Sequence, residues 1–121
     1  MRIIIVEHNN NCVSQKVEKI GSSINRIKPL IKQEVKIFFS KNDLDSKKIA
    51  QKITSLIKIK EIKPVTISLS NSNLIETIRA ETDTIIIITR DYKISHFLRQ
   101  NGSLLSEYVI GGLGSIIIID F

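Results

Sequence analysis

Three unbroken apolar runs, at residues 3–6, 85–88 and 116–119, each stop abruptly at polar residues. A strand with one wet face alternates apolar and polar side chains, so an unbroken run needs cover on both faces. Such strands belong at the centre of a sheet flanked by helices. Between the runs, apolar residues recur at helical spacing. Val13, Val17, Ile20, Ile24, Ile27 and Ile31 predict a first helix with Ser14 as its cap, interrupted at Gly21 and stopped by Pro29. Residues 35–39 read as a second strand, followed by a helix through Ile49, Ile53, Leu56 and Ile57 with Asp43, Asp45 or Ser46 as its cap. Beyond Pro64, residues 65–69 read as a third strand, and Asn73 with Glu76 has capping-box spacing for a short helix through Leu74, Ile75 and Ile78. Residues 84–88 form a fourth strand, and Ile94, Phe97 and Leu98 a helix stopped by Gly102. Residues 108–110 and 115–119, around Gly111, Gly112, Leu113 and Gly114, predict a hairpin at the sheet edge. Four strand-then-helix repeats imply an α/β fold: one domain over residues 1–121, Rossmann-like, a three-layer sandwich on a mostly parallel sheet of about five strands.

Composition narrows the class without naming a function. The 26 isoleucines favour strands, although an AT-rich coding sequence produces the same surplus. Cys12 is the single cysteine, which excludes an intrachain disulfide and a cysteine-built zinc site. Apolar runs of four residues are far too short to span a membrane, and the apolar start is too short for a signal peptide. The expected setting is the cytoplasm, with no membrane partner.

Charge is unevenly distributed. Residues 14–64 carry 13 Lys and Arg against 5 Asp and Glu, whereas residues 65–121 carry 4 against 6. A basic half suits an anionic partner such as RNA, with Lys16, Lys47, Lys48 and Arg90 as candidate contacts. A solvated lysine face on amphipathic helices explains the same charge equally well. Aromatic residues are too few for a base-stacking platform.

In an open α/β sheet the chemistry gathers where strands end. Here those ends carry residues 7–11, the set Ser40, Asn42 and Asp43, residues 70–73, and the trio Thr89, Arg90 and Asp91. Glu7 and Asp91 each follow an isoleucine-rich strand, and carboxylates converging there suit Mg²⁺ or Mn²⁺. The plainer alternatives are a helix cap for Asp91 and a solvated turn, or an Arg90 partner, for Glu7. Asn and Ser at such ends are ordinary turn and cap residues. Nothing in the sequence frames His8 as catalytic, His96 falls inside a helix, and Cys12 reads as a packing residue.

Residues 84–91, an apolar strand entering a Thr-x-Asp turn at Thr89 and Asp91, resemble the late strand of PIN-like ribonucleases. That resemblance implies a metal-dependent ribonuclease acting on RNA, with Glu7 and Asp91 as catalytic metal ligands, Asp43 as a further candidate ligand and Thr89 at the rim. The chain departs from the family pattern in carrying Glu at position 7, and only Asp43, Asp45 and Glu76 are available as its middle acids. Residues 110–112 are similar to the Gly-rich turn of SPOUT-type RNA methyltransferases. The opening residues 3–7 are similar to those of receiver and Toprim domains, whose further acidic motifs are missing. A non-catalytic α/β module that binds protein or nucleic acid is the competing expectation.

Overall fold

The structure is a computed structural model that describes residues 2–9, 13–31, 34–67, 76, 78–80 and 84–121. Its elements are β1 (Arg2–His8), α1 (Val13–Ile27), β2 (Val35–Ser40), α2 (Leu44–Thr54), β3 (Ile59–Val65), β4 (Ile85–Thr89), α3 (Tyr92–Asn101), β5 (Ser103–Val109) and β6 (Gly114–Asp120). A 3₁₀ turn, Lys28–Leu30, follows α1 with Pro29 in its first positions, so proline ends the helix as its missing N–H requires. Gly21 does not interrupt α1. It is buried where α1 crosses α2, and a Cβ there would meet Lys52 Cε at 2.9 Å.

Among the described residues, six strands form one sheet in the order β3-β2-β4-β1-β6-β5. The pairs β1/β4, β2/β4 and β2/β3 are parallel, while β6 runs antiparallel to both β1 and β5. The expectation of a mostly parallel sheet of about five strands holds in part: β1 to β4 are parallel, and the antiparallel β5 and β6 pairings bring the sheet to six strands. The predicted hairpin is real, and it adds two full strands rather than a short edge.

The three isoleucine runs lie side by side at the centre. Ile86 is level with Ile4, and Ile4 with Ile118; Ile88, Val6 and Ile116 repeat the arrangement one pleat along. Side chains alternate across a strand, so each run feeds two cores. Ile4, Val6, Ile86, Ile88, Ile116 and Ile118 pack with Ile20, Ile24, Ile49 and Ile53 of α1 and α2. Ile3, Ile5, Ile85, Ile87, Ile117 and Ile119 pack with Ile94 and Leu98 of α3 and with Ile78. Burial on both faces is why these runs show no polar alternation.

The third strand is displaced from its expected place. It occupies Ile59–Val65, with Pro64 inside it rather than ahead of it. The Val65 carbonyl accepts from Lys41 N–H at 2.7 Å, so Val65 faces β2 and Pro64 faces away. An outward position on an edge strand forfeits no ladder hydrogen bond. This strand is almost wholly exposed, so it carries no apolar run to announce it. The expected residues 68–69, the polar turn 70–73, Leu74, Ile75, and Asn10, Asn11 and Cys12 lie outside the described residues.

Gly102 stops α3 as expected, standing at its C-cap. Gly102 is extended, not left-handed, at φ −142°. Its smallness lets the chain pass β6, since a Cβ would lie 2.8 Å from both Asp120 O and Ile119 Cγ2. In the β5–β6 connection Gly111 and Gly112 have φ of 35° and 77°, the sign a type I′ turn needs at both central residues. Leu113 N–H closes that turn on Ile110 O at 2.8 Å. No helix among the described residues is long and apolar enough to cross a membrane.

Candidate functional site

β1, β2 and β4 run parallel, so their carboxyl ends share one rim and carry Glu7, His8, Ser40 and Thr89. Glu7 stands level with Thr89 on the neighbouring strand. Alternation then sends consecutive residues to opposite faces. Glu7 turns toward α3, where the Ser95 hydroxyl donates to its carboxylate. With Tyr92, Ser95, His96, Arg99 and Glu107 it lines a cavity of about 230 Å³. Asp91 caps α3 by accepting from Lys93 N–H at 3.0 Å. It lines a second cavity, of about 510 Å³, with Ser40, Asn42, Asp43, Asp45, Thr89 and Arg90. Asp43 and Asp91 therefore share a cavity, and Glu7 faces another. Thr89 is buried, and its Oγ1 accepts from Asp91 N–H at 3.0 Å, fixing the turn.

On the α1/α2 side a dense polar network fills the rim. Asp43 caps α2, with Oδ1 accepting from Asp45 N–H at 3.1 Å and Ser46 N–H at 3.4 Å. The Ser46 hydroxyl donates to Asp43 Oδ2 at 2.8 Å. His8, only 2% exposed, places Nε2 2.7 Å from Ser46 Oγ and 3.5 Å from Asp43 Oδ2. A hydroxyl has one proton to give, so with Ser46 donating to Asp43 the proton between Ser46 and His8 belongs to Nε2. His8 Nδ1 is buried without a hydrogen-bond partner among the described residues.

Two cations complete the network. Lys16 is fully buried, with Nζ 3.1 Å from Asp45 Oδ2 and 2.5 Å from Asn9 O. Arg90 places Nη2 2.5 Å from Asp45 Oδ2 and Nε 3.2 Å from Asp43 Oδ2. Burial lowers the His8 pKa to about 4, and the charges of Lys16 and Arg90 press the same way against the opposing Asp43 and Asp45. For Asp45, burial pushes the carboxyl upward, but the Lys16 hydrogen bond and charge, with Arg90, hold it below the usual carboxylate range.

This geometry sets an acid response. An unfolded imidazole takes its proton near 6.5 and folded His8 only near 4, so between those values the unfolded chain binds more protons. Stability then falls as pH drops through that window, by about 2–3 kcal/mol at pH ~4.5. Asp45 adds its own loss only at lower pH, as its depressed carboxyl protonates. Urea unfolding at neutral and acid pH should show this decline, and His8→Gln should flatten it. An undiminished decline in the variant would contradict the assignment.

The expected contacts are redistributed. Lys16 is corrected from exposed basic surface to buried ion-pair partner, since packing against α2 removes it from solvent. Lys47 and Lys48 are exposed on α2. Arg90 is engaged by Asp43 and Asp45. Among the described residues, no group of three or more His, Cys, Asp or Glu side chains is arranged to hold a metal ion. Of the expected Mg²⁺ or Mn²⁺ ligands, Glu7 faces a different cavity from Asp43 and Asp91, and Asp43 is paired with Arg90.

Sequence reasoning missed His8, Ser46 and the Lys16–Asp45 pair, although two signals existed. Lys16 lies on the apolar stripe of α1, beside Val17 and one turn from Ile20. His8 continues the inward series Ile4, Val6. A comparison of this chain with protein-family models and with curated proteins finds no match.

Proposed function

We propose that this chain is an α/β binding module that engages RNA through the exposed lysines of its first two helices. The carrying observation is a division of charge. Asp43, Asp45, Lys16 and Arg90 bind one another at the strand ends, while Lys19, Lys47 and Lys48 stand exposed on α1 and α2. Between these helices runs a groove of about 820 Å³, lined by Ser14, Val17, Glu18, Lys48, Gln51, Lys52 and Ser55. Phosphate contacts of this kind give weak, sequence-tolerant affinity that salt erodes. The same reading takes the chain to work in the cytoplasm and its fold to be a Rossmann-like three-layer sandwich, the latter supported by the two core clusters on opposite sides of the sheet.

Fluorescence anisotropy with a labelled single-stranded RNA of mixed sequence tests this. Binding should lie in the range of roughly 10⁻⁴ to 10⁻⁶ M near physiological salt and weaken steeply as salt rises. Lys47→Glu with Lys48→Glu should weaken it at least tenfold and reduce the log–log salt slope by about 1.4, two single-strand contacts' worth. Absence of binding at low salt, or binding indifferent to salt, leaves these lysines as a solvated face.

A second reading, the PIN-like ribonuclease, keeps one supporting observation: Asp43, Asp45 and Asp91 line the same cavity. It requires Mg²⁺ or Mn²⁺ to compete with Arg90 and Lys16 for Asp43 and Asp45. Mn²⁺-dependent RNA cleavage abolished by Asp91→Asn would favour it over the binding module. The methyltransferase reading loses its motif, because Gly111 and Gly112 serve as the central residues of a hairpin turn.

A further inference from the structure

The two edges of the sheet are built differently. β3 carries Lys60 and Lys63, and its Pro64 faces outward, devices that deter strand addition. β5 has neither lysine nor proline. Leu104 and Leu105 are each 47% exposed on it, and Val109 is 74% exposed. Ile110 N–H bonds Gly114 O, so by alternation Glu107 and Val109 turn their backbone groups away from β6. The one charge on the strand, Glu107, is held by Arg99 Nη2 at 2.7 Å.

We propose that β5 is a self-association edge, and that its occupant is β5 of a second copy of this chain, paired antiparallel about a two-fold axis. Charge selects the occupant. The excess of basic residues lies in residues 14–64, which build the other end of the sheet, whereas residues 65–121 are slightly acidic. Two copies meeting at β5 keep their basic halves far apart, and each brings Glu107 already neutralised. Meeting at β3 would bring lysines together. An isologous contact also closes on itself, so assembly stops at two. The bulge between Leu104 and Ser106 leaves the regular ladder to residues 106–109, beside which Leu105 and Val109 supply apolar contact. A two-fold axis normal to the sheet leaves both α1/α2 faces on one side, so the inference extends the RNA reading without depending on it.

Sedimentation equilibrium over a concentration series tests the edge. The wild-type chain, 13.7 kDa, should sediment at twice that mass as concentration rises. Leu105→Lys and Val109→Lys should each weaken dimerisation at least tenfold, while Ile62→Lys on β3 leaves it unchanged. Val109 is so exposed that its lysine variant should melt like wild type, so it decides the matter if Leu105→Lys misfolds. A wild type monomeric up to millimolar concentration, or a dimer indifferent to Val109→Lys, overturns the proposal.

Discussion

Gly114→Ala is expected to destabilise the fold more than any other glycine substitution in the β5–β6 connection, by about 4 kcal/mol or more. Two independent effects converge there. The backbone sits at φ 144°, a conformation that side-chain-bearing residues rarely adopt. A Cβ would also overlap the carbonyl oxygen of Glu7 and lie 2.9 Å from His8 Cα. Both obstacles are backbone atoms of a central strand, so neither can rotate aside. Relief requires β6 to move off β1, breaking the pairing that holds Ile116–Ile119 against Ile3–Val6. Gly111→Ala is the control, because its Cβ meets nothing within 4 Å and only φ of 35° opposes it. That change should cost about 1–2 kcal/mol. Urea unfolding of the two variants checks the contrast; a Gly114→Ala loss no larger than that of Gly111→Ala would contradict the account.

Asp45→Ala is expected to cost about 3–5 kcal/mol, because it leaves the fully buried Lys16 ammonium with a single carbonyl partner, Asn9 O. Removing the other member should be milder. Lys16→Met places an apolar side chain on an apolar stripe, and Asp45 keeps Arg90 as its partner. The double variant should therefore recover part of the loss seen in Asp45→Ala, an asymmetry characteristic of buried pairs. Additive losses in the double variant would show that Lys16 and Asp45 do not act as a pair.

How far the fold could be read follows from where the apolar residues lie. Unbroken isoleucine runs announced β1, β4 and β6 because both faces of each are buried. β3 was misplaced because an exposed edge strand with Lys60, Glu61 and Lys63 has no apolar period to report. β5 was read as starting at residue 108 because its first residues face solvent. Strand direction was legible only through connections: helices between strands implied parallel pairing, and the glycine turn implied the antiparallel exception. The candidate site was legible as a set of cap residues, and Asp43 and Asp91 do cap α2 and α3. Its wiring was not, because His8 meets Ser46 from 38 residues away, and Lys16 meets Asp45 from 29. Local spacing carries no record of such long-range contacts.

On this reading Lys16 and Arg90 occupy Asp43 and Asp45 at the strand ends, while the exposed α1/α2 lysines face a partner. Backbone amide NMR on one labelled sample, titrated first with Mg²⁺ and then with single-stranded RNA, tests both halves. Little site-specific change is expected with Mg²⁺ around Asp43, Asp45 and Asp91, and RNA-induced shifts should cluster at Lys19, Lys47 and Lys48. Saturable Mg²⁺ shifts at Asp43 and Asp91, with RNA shifts gathered at that same rim, would contradict it.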